Sequence, residues 1–245
     1  MINRMHESVQ YPRILLKISG EALSGDQGFG LDTDTLDYVA TEIVAVRDLG
    51  VQLAVVVGGG NFIRGDVFSA AGDLDRTVAD HMGMLGTIMN ALALQAAIER
   101  HGIQTRVQSA ISIDEVCEPF IRRRAIRHLE HDRVVVFAGG TGNPYFSTDT
   151  AAVLRALEIG AGCLIKATKV DGVYDKDPKK YDKAVKYERL TYEDAISKRL
   201  AVMDQTAFTM CRENRLPVIV LDLSSTGGIQ KAVTGEPVGT YVGVD

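Results

Sequence analysis

Apolar residues in this chain fall into two kinds of stretch. Short, nearly unbroken runs occur at Arg13–Ile18 (RILLKI), Val51–Val57 (VQLAVVV), Val134–Ala138 (VVVFA), Gly162–Ala167 (GCLIKA) and Pro217–Leu221 (PVIVL). Unbroken rather than alternating apolar character predicts strands covered on both faces, as in a parallel sheet. Between them lie stretches with apolar positions at helical spacing. Asp32–Leu49 places Leu36, Val39, Ala40, Ile43, Val46 and Leu49 on one face and ends at Gly50. Leu74–Arg100 is apolar nearly all round at its centre, so it should be buried between elements or between subunits. Asp114–Arg133, Ser147–Leu157, Tyr192–Arg199, Asp204–Glu213 and Gly228–Val233 are read as further helices, and Gln104–Ile113 and Thr240–Val244 as further strands. Strands alternating with helices predict one α/β domain over residues 13–245, behind a flexible segment at residues 1–12.

Composition narrows the function classes. The 245 residues are 46% hydrophobic and 24% charged, ordinary values for a globular protein. A net charge of −5 and a pI near 5.6 argue against a general nucleic-acid or membrane binder. Cys117, Cys163 and Cys211 form no metal-like spacing and read as buried thiols of a reducing cytoplasm. No unbroken apolar run reaches the roughly 18–20 residues of a membrane span. The arginines at 122, 123, 124 and 127 carry no interleaved aromatics, so they are read as a solvated helix face.

Candidate chemistry gathers where strands end. Lys17 closes the first strand and is followed by Ser19-Gly20, which aims it beyond the carboxyl edge of the sheet unless it snorkels from an edge strand. The second strand feeds into Gly58-Gly59-Gly60-Asn61 with Arg64 behind, a backbone that another group can approach closely and a fork suited to phosphate. Val134–Ala138 runs through Gly139-Gly140-Thr141-Gly142 into a helix, either a polar-ligand loop or an ordinary turn capped by Thr148. Lys166 and the loop from Thr168 to Pro178 crowd the end of another strand. Asp80 is a carboxylate at the edge of an apolar helix and needs a partner, a sugar hydroxyl being one candidate. Two glycine-lined pockets with lysines suggest two phosphate-bearing ligands, which is a kinase layout. Either Asp149 or Asp204 would orient the lysines or hold metal-bound water. The glycine-rich Ser24–Gly30 matches no known phosphate loop and reads as a connector.

Six segments, KISGEAL, VVGGGNFIRG, ADHMGML, TGNPYFSTD, KATKVDGVYDKDP and MDQTAF, occur in this order, and with them the chain resembles the bacterial UMP kinases of the amino-acid-kinase superfamily from about Arg13 to Tyr241. The resemblance implies a three-layer αβα sandwich with a mostly parallel central sheet, assembled as a homo-hexamer. It implies transfer of a phosphoryl group from ATP to UMP in pyrimidine biosynthesis, with Mg²⁺ held mainly by the ATP phosphates rather than by side chains. Lys17, Ile18, Ser19, Gly20, Gly60, Arg64, Thr168, Tyr174 and Asp177 then fall at ATP-contact positions. Gly59, Asp80 and the loop Thr141, Gly142, Asn143, Pro144, Tyr145, Phe146, Ser147 and Thr148 fall at UMP positions. Gly25, Asp26, Gln27, Gly28, Phe29 and Gly30 match a segment associated with GTP activation, and UTP is expected as an inhibitor. A nucleotide-binding storage or regulatory protein on the same fold is the alternative.

Overall fold

The computed structural model describes residues 9–63, 74–200 and 203–244. Strands β1 (Arg13–Ile18), β2 (Gln52–Val57), β3 (Thr105–Ser109), β4 (Glu118–Pro119), β5 (Val134–Ala138) and β6 (Cys163–Thr168) come first in the chain. A separate hairpin pairs β7 (Val173–Tyr174) with β8 (Lys186–Tyr187), and β9 (Arg189–Thr191), β10 (Val218–Asp222) and β11 (Thr240–Gly243) complete the main sheet. Its nine strands run in the order β4-β3-β5-β2-β1-β6-β10-β11-β9, all neighbours parallel except β10 and β11. β1 is therefore central, which removes the edge-strand explanation of Lys17.

Both sheet faces are covered, as unbroken apolar runs require. α1 (Thr33–Asp48), α2 (Arg76–Arg100) and α7 (Gly228–Thr234) pack one core with Ile14, Leu16, Ile18 and Val55. α3 (Arg122–Glu130), α4 (Thr148–Ile159), α5 (Tyr192–Ser197) and α6 (Gln205–Glu213) pack the other with Leu15, Ala54, Val135 and Leu164. The period of two along β1 thus splits Ile14, Leu16 and Ile18 from Leu15, and it puts Lys17 on the Leu15 face. The layers are those of an αβα sandwich.

Several boundaries differ from the expectation. The basic helix does not begin at Asp114. Pro119 lacks an N–H and biases the residue before it toward extended backbone, so residues 114–121 instead carry β4 and the helix starts at Arg122. Ser24–Gly30 is not a plain connector either. 3-10 turns span Gly20–Gln27, Ser19 caps them and Ser24 donates to the Glu21 carbonyl. The strands β7, β8 and β9 are only two or three residues long, too short for a hydrophobic period to register. Of the leading segment, residues 1–8 lie outside the described residues, while Gln10 and Tyr11 N–H both donate to the Val233 carbonyl. Cys163 and Cys211 are buried as expected, and burial pushes their thiols up, but Cys117 is only half-buried.

α2 alone, among the described residues, is long and apolar enough to cross a membrane, with a window of mean hydropathy 1.2 despite its interruptions. Half of that window is buried inside the protein, against β3, β5 and α1. Its outer face leaves Val78, Leu85 and Met89 about half exposed.

Candidate active site

Parallel strands deliver their carboxyl ends to one edge of the sheet, and the topology reverses there: β5 lies to one side of β1 and its successor β6 to the other. Lys17 and Lys166 are register partners on β1 and β6, so their side chains leave the same face side by side. Asp149, in the first turn of α4, lies between them. One carboxylate oxygen is 2.7 Å from Lys17 Nζ and the other is 2.7 Å from Lys166 Nζ. All three groups are nearly buried, and together they carry one net positive charge. Burial pushes the Asp149 carboxyl up, but the two ammonium groups outweigh it and hold the carboxyl below its ordinary value. Burial, with repulsion from Lys17, holds Lys166 below its ordinary value although Asp149 opposes the shift.

The helix that presents Asp149 is capped by Ser147, not Thr148. Ser147 Oγ accepts from the Asp149 and Thr150 N–H groups at 3.0 and 3.2 Å. Asp204 reaches neither lysine ammonium by a direct bond. It caps α6 by accepting from Ala207 N–H at 2.9 Å, and it also accepts from the hydroxyls of Ser147 and Thr150. Its carboxylate thereby pins the first turn of α4, and with it Asp149.

Beside the lysines lies a cavity of about 250 Å³ lined by Gly59, Gly60, Ile63, Ala79, Asp80, Gly83, Met84, Thr87, Gly140, Thr141, Phe146, Ser147 and Thr148. The glycine triplet approaches α2 so closely that a Cβ on Gly59 would sit 2.4 Å from the Gly83 carbonyl oxygen. Gly139, the residue before the lining Gly140, holds φ at 73°, and a Cβ there would meet Ser109 Oγ at 2.9 Å. Asp80 is engaged by protein groups: Arg76 Nε lies 2.9 Å from both its oxygens, and Tyr145 N–H donates to one at 2.8 Å. Of the expected acceptor loop, Asn143, Pro144, Tyr145 and Gly142 do not line this cavity, and Tyr145 is 70% exposed.

A second cavity, about 480 Å³, is lined by Ala22, Gly25, Asp26, Asp34, Thr35, Tyr38, Thr168, Lys169, Asp222, Leu223 and Ser224. Thr168, assigned to ATP by resemblance, and Gly25 and Asp26, assigned to GTP, share it. Tyr174 and Asp177 stand on the hairpin arm outside both cavities, and Tyr174 donates to Asp171. Arg64 lies outside the described residues. A third cavity, about 620 Å³, sits elsewhere, against Gln10, Tyr11, Arg189 and Tyr241, with neither Lys17, Lys166 nor the glycine triplet in its wall.

The amino acid kinase family profile matches residues 12–222. The chain belongs to the amino acid kinase family. Among solved structures, a UMP kinase from Bacillus anthracis is 38% identical with a TM-score of 0.92, over 96% of this chain and 97% of the other. A UMP kinase from Ureaplasma parvum is 34% identical with a TM-score of 0.88, over 94% and 98%. A uridylate kinase from Archaeoglobus fulgidus is 31% identical with a TM-score of 0.73, over 94% and 99%.

Residue types alone left several groups around these residues unmarked. Arg76, Thr87 and Thr150 each bond to an expected site residue, yet all three sit in helical stretches whose pattern is explained by packing. Arg76 does have a local signal: it precedes Asp80 by four, the spacing of a helical ion pair.

Proposed function

We propose that the chain transfers the terminal phosphoryl group of ATP to UMP, giving ADP and UDP. The observation that carries this is the Lys17–Asp149–Lys166 bridge at the sheet's switch point, with Thr148, next to Asp149, lining one cavity and Thr168, two residues beyond Lys166, lining another. A UMP phosphate oxygen attacks the γ phosphorus, a P–O bond forms, and the bond to the β–γ bridging oxygen breaks with its electron pair leaving on ADP. Phosphoryl transfer needs alignment and positive charge more than it needs a base. Lys17 and Lys166 supply that charge preorganised, since Asp149 holds both in place without a solvent shell to rearrange. UMP takes the smaller cavity, with Asp80 toward its ribose. ATP takes the Lys17–Gly20 turn, Gly60 and the Thr168 cavity.

Among the described residues no group of three acidic, His or Cys side chains could hold a metal ion. Asp149 has both oxygens committed to ammonium groups. In this proposal Mg²⁺ rides on the ATP phosphates, where it would neutralise charge. GTP activation through Gly25–Gly30 belongs to the same proposal, since Gly30 exchanges hydrogen bonds with Asn61 beside the glycine triplet. So do UTP inhibition, a cytoplasmic setting and a homo-hexamer, the last supported by the exposed apolar face of α2.

Measured by ADP release across UMP, CMP, dTMP, carbamate and aspartate, UMP is expected to be clearly the best acceptor. Any other acceptor in first place, or ATP binding without turnover, would overturn the proposal. The alkaline side gives a second check. Lys166 acts as a cation, and its depressed pKa means that kcat should be lost as pH rises, along a limb that sets in below 10.5, the ordinary lysine value. Lys166→Arg, which stays charged, should move that limb upward. An unmoved limb would assign it to another group.

A further inference from the structure

One face of α2 carries a polar stripe. Asp80, Gly83, Thr87 and Asn90 follow at steps of three and four, which stacks them along one side of the helix. Thr87 and Asn90 are both buried, in a setting where a polar side chain must find partners. Each finds them on a different loop. Thr87 Oγ1 accepts from Gly139 N–H at 2.7 Å and donates to the Met84 carbonyl of its own helix at 2.6 Å. Asn90 Nδ2 donates to the Gly58 carbonyl at 2.6 Å and to Asn61 Oδ1 at 2.7 Å, while its Oδ1 accepts from Asn61 Nδ2 at 3.0 Å. Asn61, also buried, spends its other amide hydrogen on the Gly30 carbonyl at 2.6 Å. Every donor of both amides is used, so the arrangement admits one orientation of each.

We propose that Thr87 and Asn90 are positioning residues, and that α2 is a spacer fixing the offset between the Gly139–Thr148 loop and the glycine triplet. This rests on the phosphoryl-transfer function proposed above, because the offset matters when the Gly139–Thr148 loop and Gly59 enclose the acceptor while Gly60 faces the donor. Three residues of α-helix separate the two anchors, about 4.5 Å along a rigid axis. In-line transfer tolerates far less slack than a free loop allows, since reacting atoms must meet at about 3–3.5 Å. Neither residue touches the lysine bridge, and although Thr87 also lines the smaller cavity its hydroxyl is committed to Gly139 N–H and the Met84 carbonyl, so each acts through the backbone it holds.

The two anchors make separable predictions. Thr87→Val removes the acceptor of Gly139 N–H and should raise the UMP KM about tenfold with the ATP KM held within about twofold, and Thr87→Ser should restore it. Asn90→Leu should lower kcat about tenfold with the UMP KM little changed. Amide hydrogen exchange reads the same contrast without any substrate. Thr87→Val should speed exchange over residues 139–148 and spare 58–63, and Asn90→Leu should do the reverse. Thr87→Ala loses the same oxygen without added bulk and serves if Thr87→Val folds poorly. Faster exchange throughout the chain in both variants, or exchange unchanged in the two loops, would overturn the spacer role. If the wild-type chain fails to phosphorylate UMP, the proposed function falls, and the exchange contrast still decides whether α2 holds the loops.

Discussion

Asp149→Asn is expected to lower kcat about 10²–10³-fold per folded molecule, the scale of losing a preorganised electrostatic group at a transition state. The substitution keeps shape and hydrogen-bonding capacity but removes the charge that holds Lys17 and Lys166 at 2.7 Å each. Two buried ammonium groups then face each other across a neutral amide. They relieve the repulsion by moving apart or by one losing its proton, and either response takes positive charge away from the moving phosphoryl group. Unchanged kcat, measured by ADP release at saturating UMP and ATP, would remove Asp149 from the machinery. The KM values are the control, because neither cavity wall contains Asp149.

The same variant should also be less stable, by about 3–5 kcal/mol, since breaking a buried ion pair leaves an uncompensated charge. The sign of its pH dependence follows from the depressed carboxyl. The folded state keeps Asp149 ionised to lower pH than the unfolded chain does, so its stabilisation is fully present above the ordinary carboxylate range near pH 3.9. It is lost as pH falls through the lower folded value. Urea titrations of both proteins should therefore converge at acid pH, whereas a gap constant from neutral pH down to pH 3 would mean that folding does not lower the Asp149 carboxyl, and a gap that widens toward acid would mean that it is protonated in the native state.

Much of this architecture was written in local pattern. The five unbroken apolar runs became the parallel core β1, β2, β5, β6 and β10, because a strand buried on both faces has no polar positions to blur it. Glycines at strand ends pointed to the smaller cavity for a similar reason: a missing Cβ is a statement about close approach, and Gly59 makes such an approach to Gly83. The lysine bridge was legible only as a list of parts. Lys17 and Lys166 become neighbours through β1–β6 register, a pairing across more than half of the chain that no local window contains. Asp149 and Asp204 could not be ranked from sequence either, since both stand at helix starts. Geometry separates them: Asp149 reaches the ammonium groups, and Asp204 caps and pins. Thr87 and Asn90 were hidden for the opposite reason. Inside an apolar helix two small polar residues look like tolerated exceptions until their partners on other elements are seen.

Asp80→Ala is expected to raise the UMP KM by about 10- to 100-fold while the ATP KM stays within about twofold, the span of one lost hydrogen bond to a charged group. Asp80 lines the smaller cavity, not the larger, so its effect should follow one substrate. Loss of Asp80 has a second route to the same parameter, because its carboxylate also receives Tyr145 N–H and the Arg76 fork. The two routes separate in a cycle with deoxy acceptors. If Asp80 holds a ribose hydroxyl, wild type should discriminate against the 2′- or 3′-deoxy analogue that lacks it, and Asp80→Ala should erase that discrimination, since the analogue has no bond left to lose. If Asp80 acts only by holding Tyr145, the variant should weaken UMP and both analogues by the same factor. Asp80→Asn sharpens the contrast: it keeps one oxygen for Tyr145 N–H yet gives up the charge. It should fall close to Ala if the ribose bond dominates, and close to wild type if the loop bond does. Equal losses for UMP and ATP would contradict the assignment of the smaller cavity to the acceptor, because Asp80 lines that cavity and not the larger one.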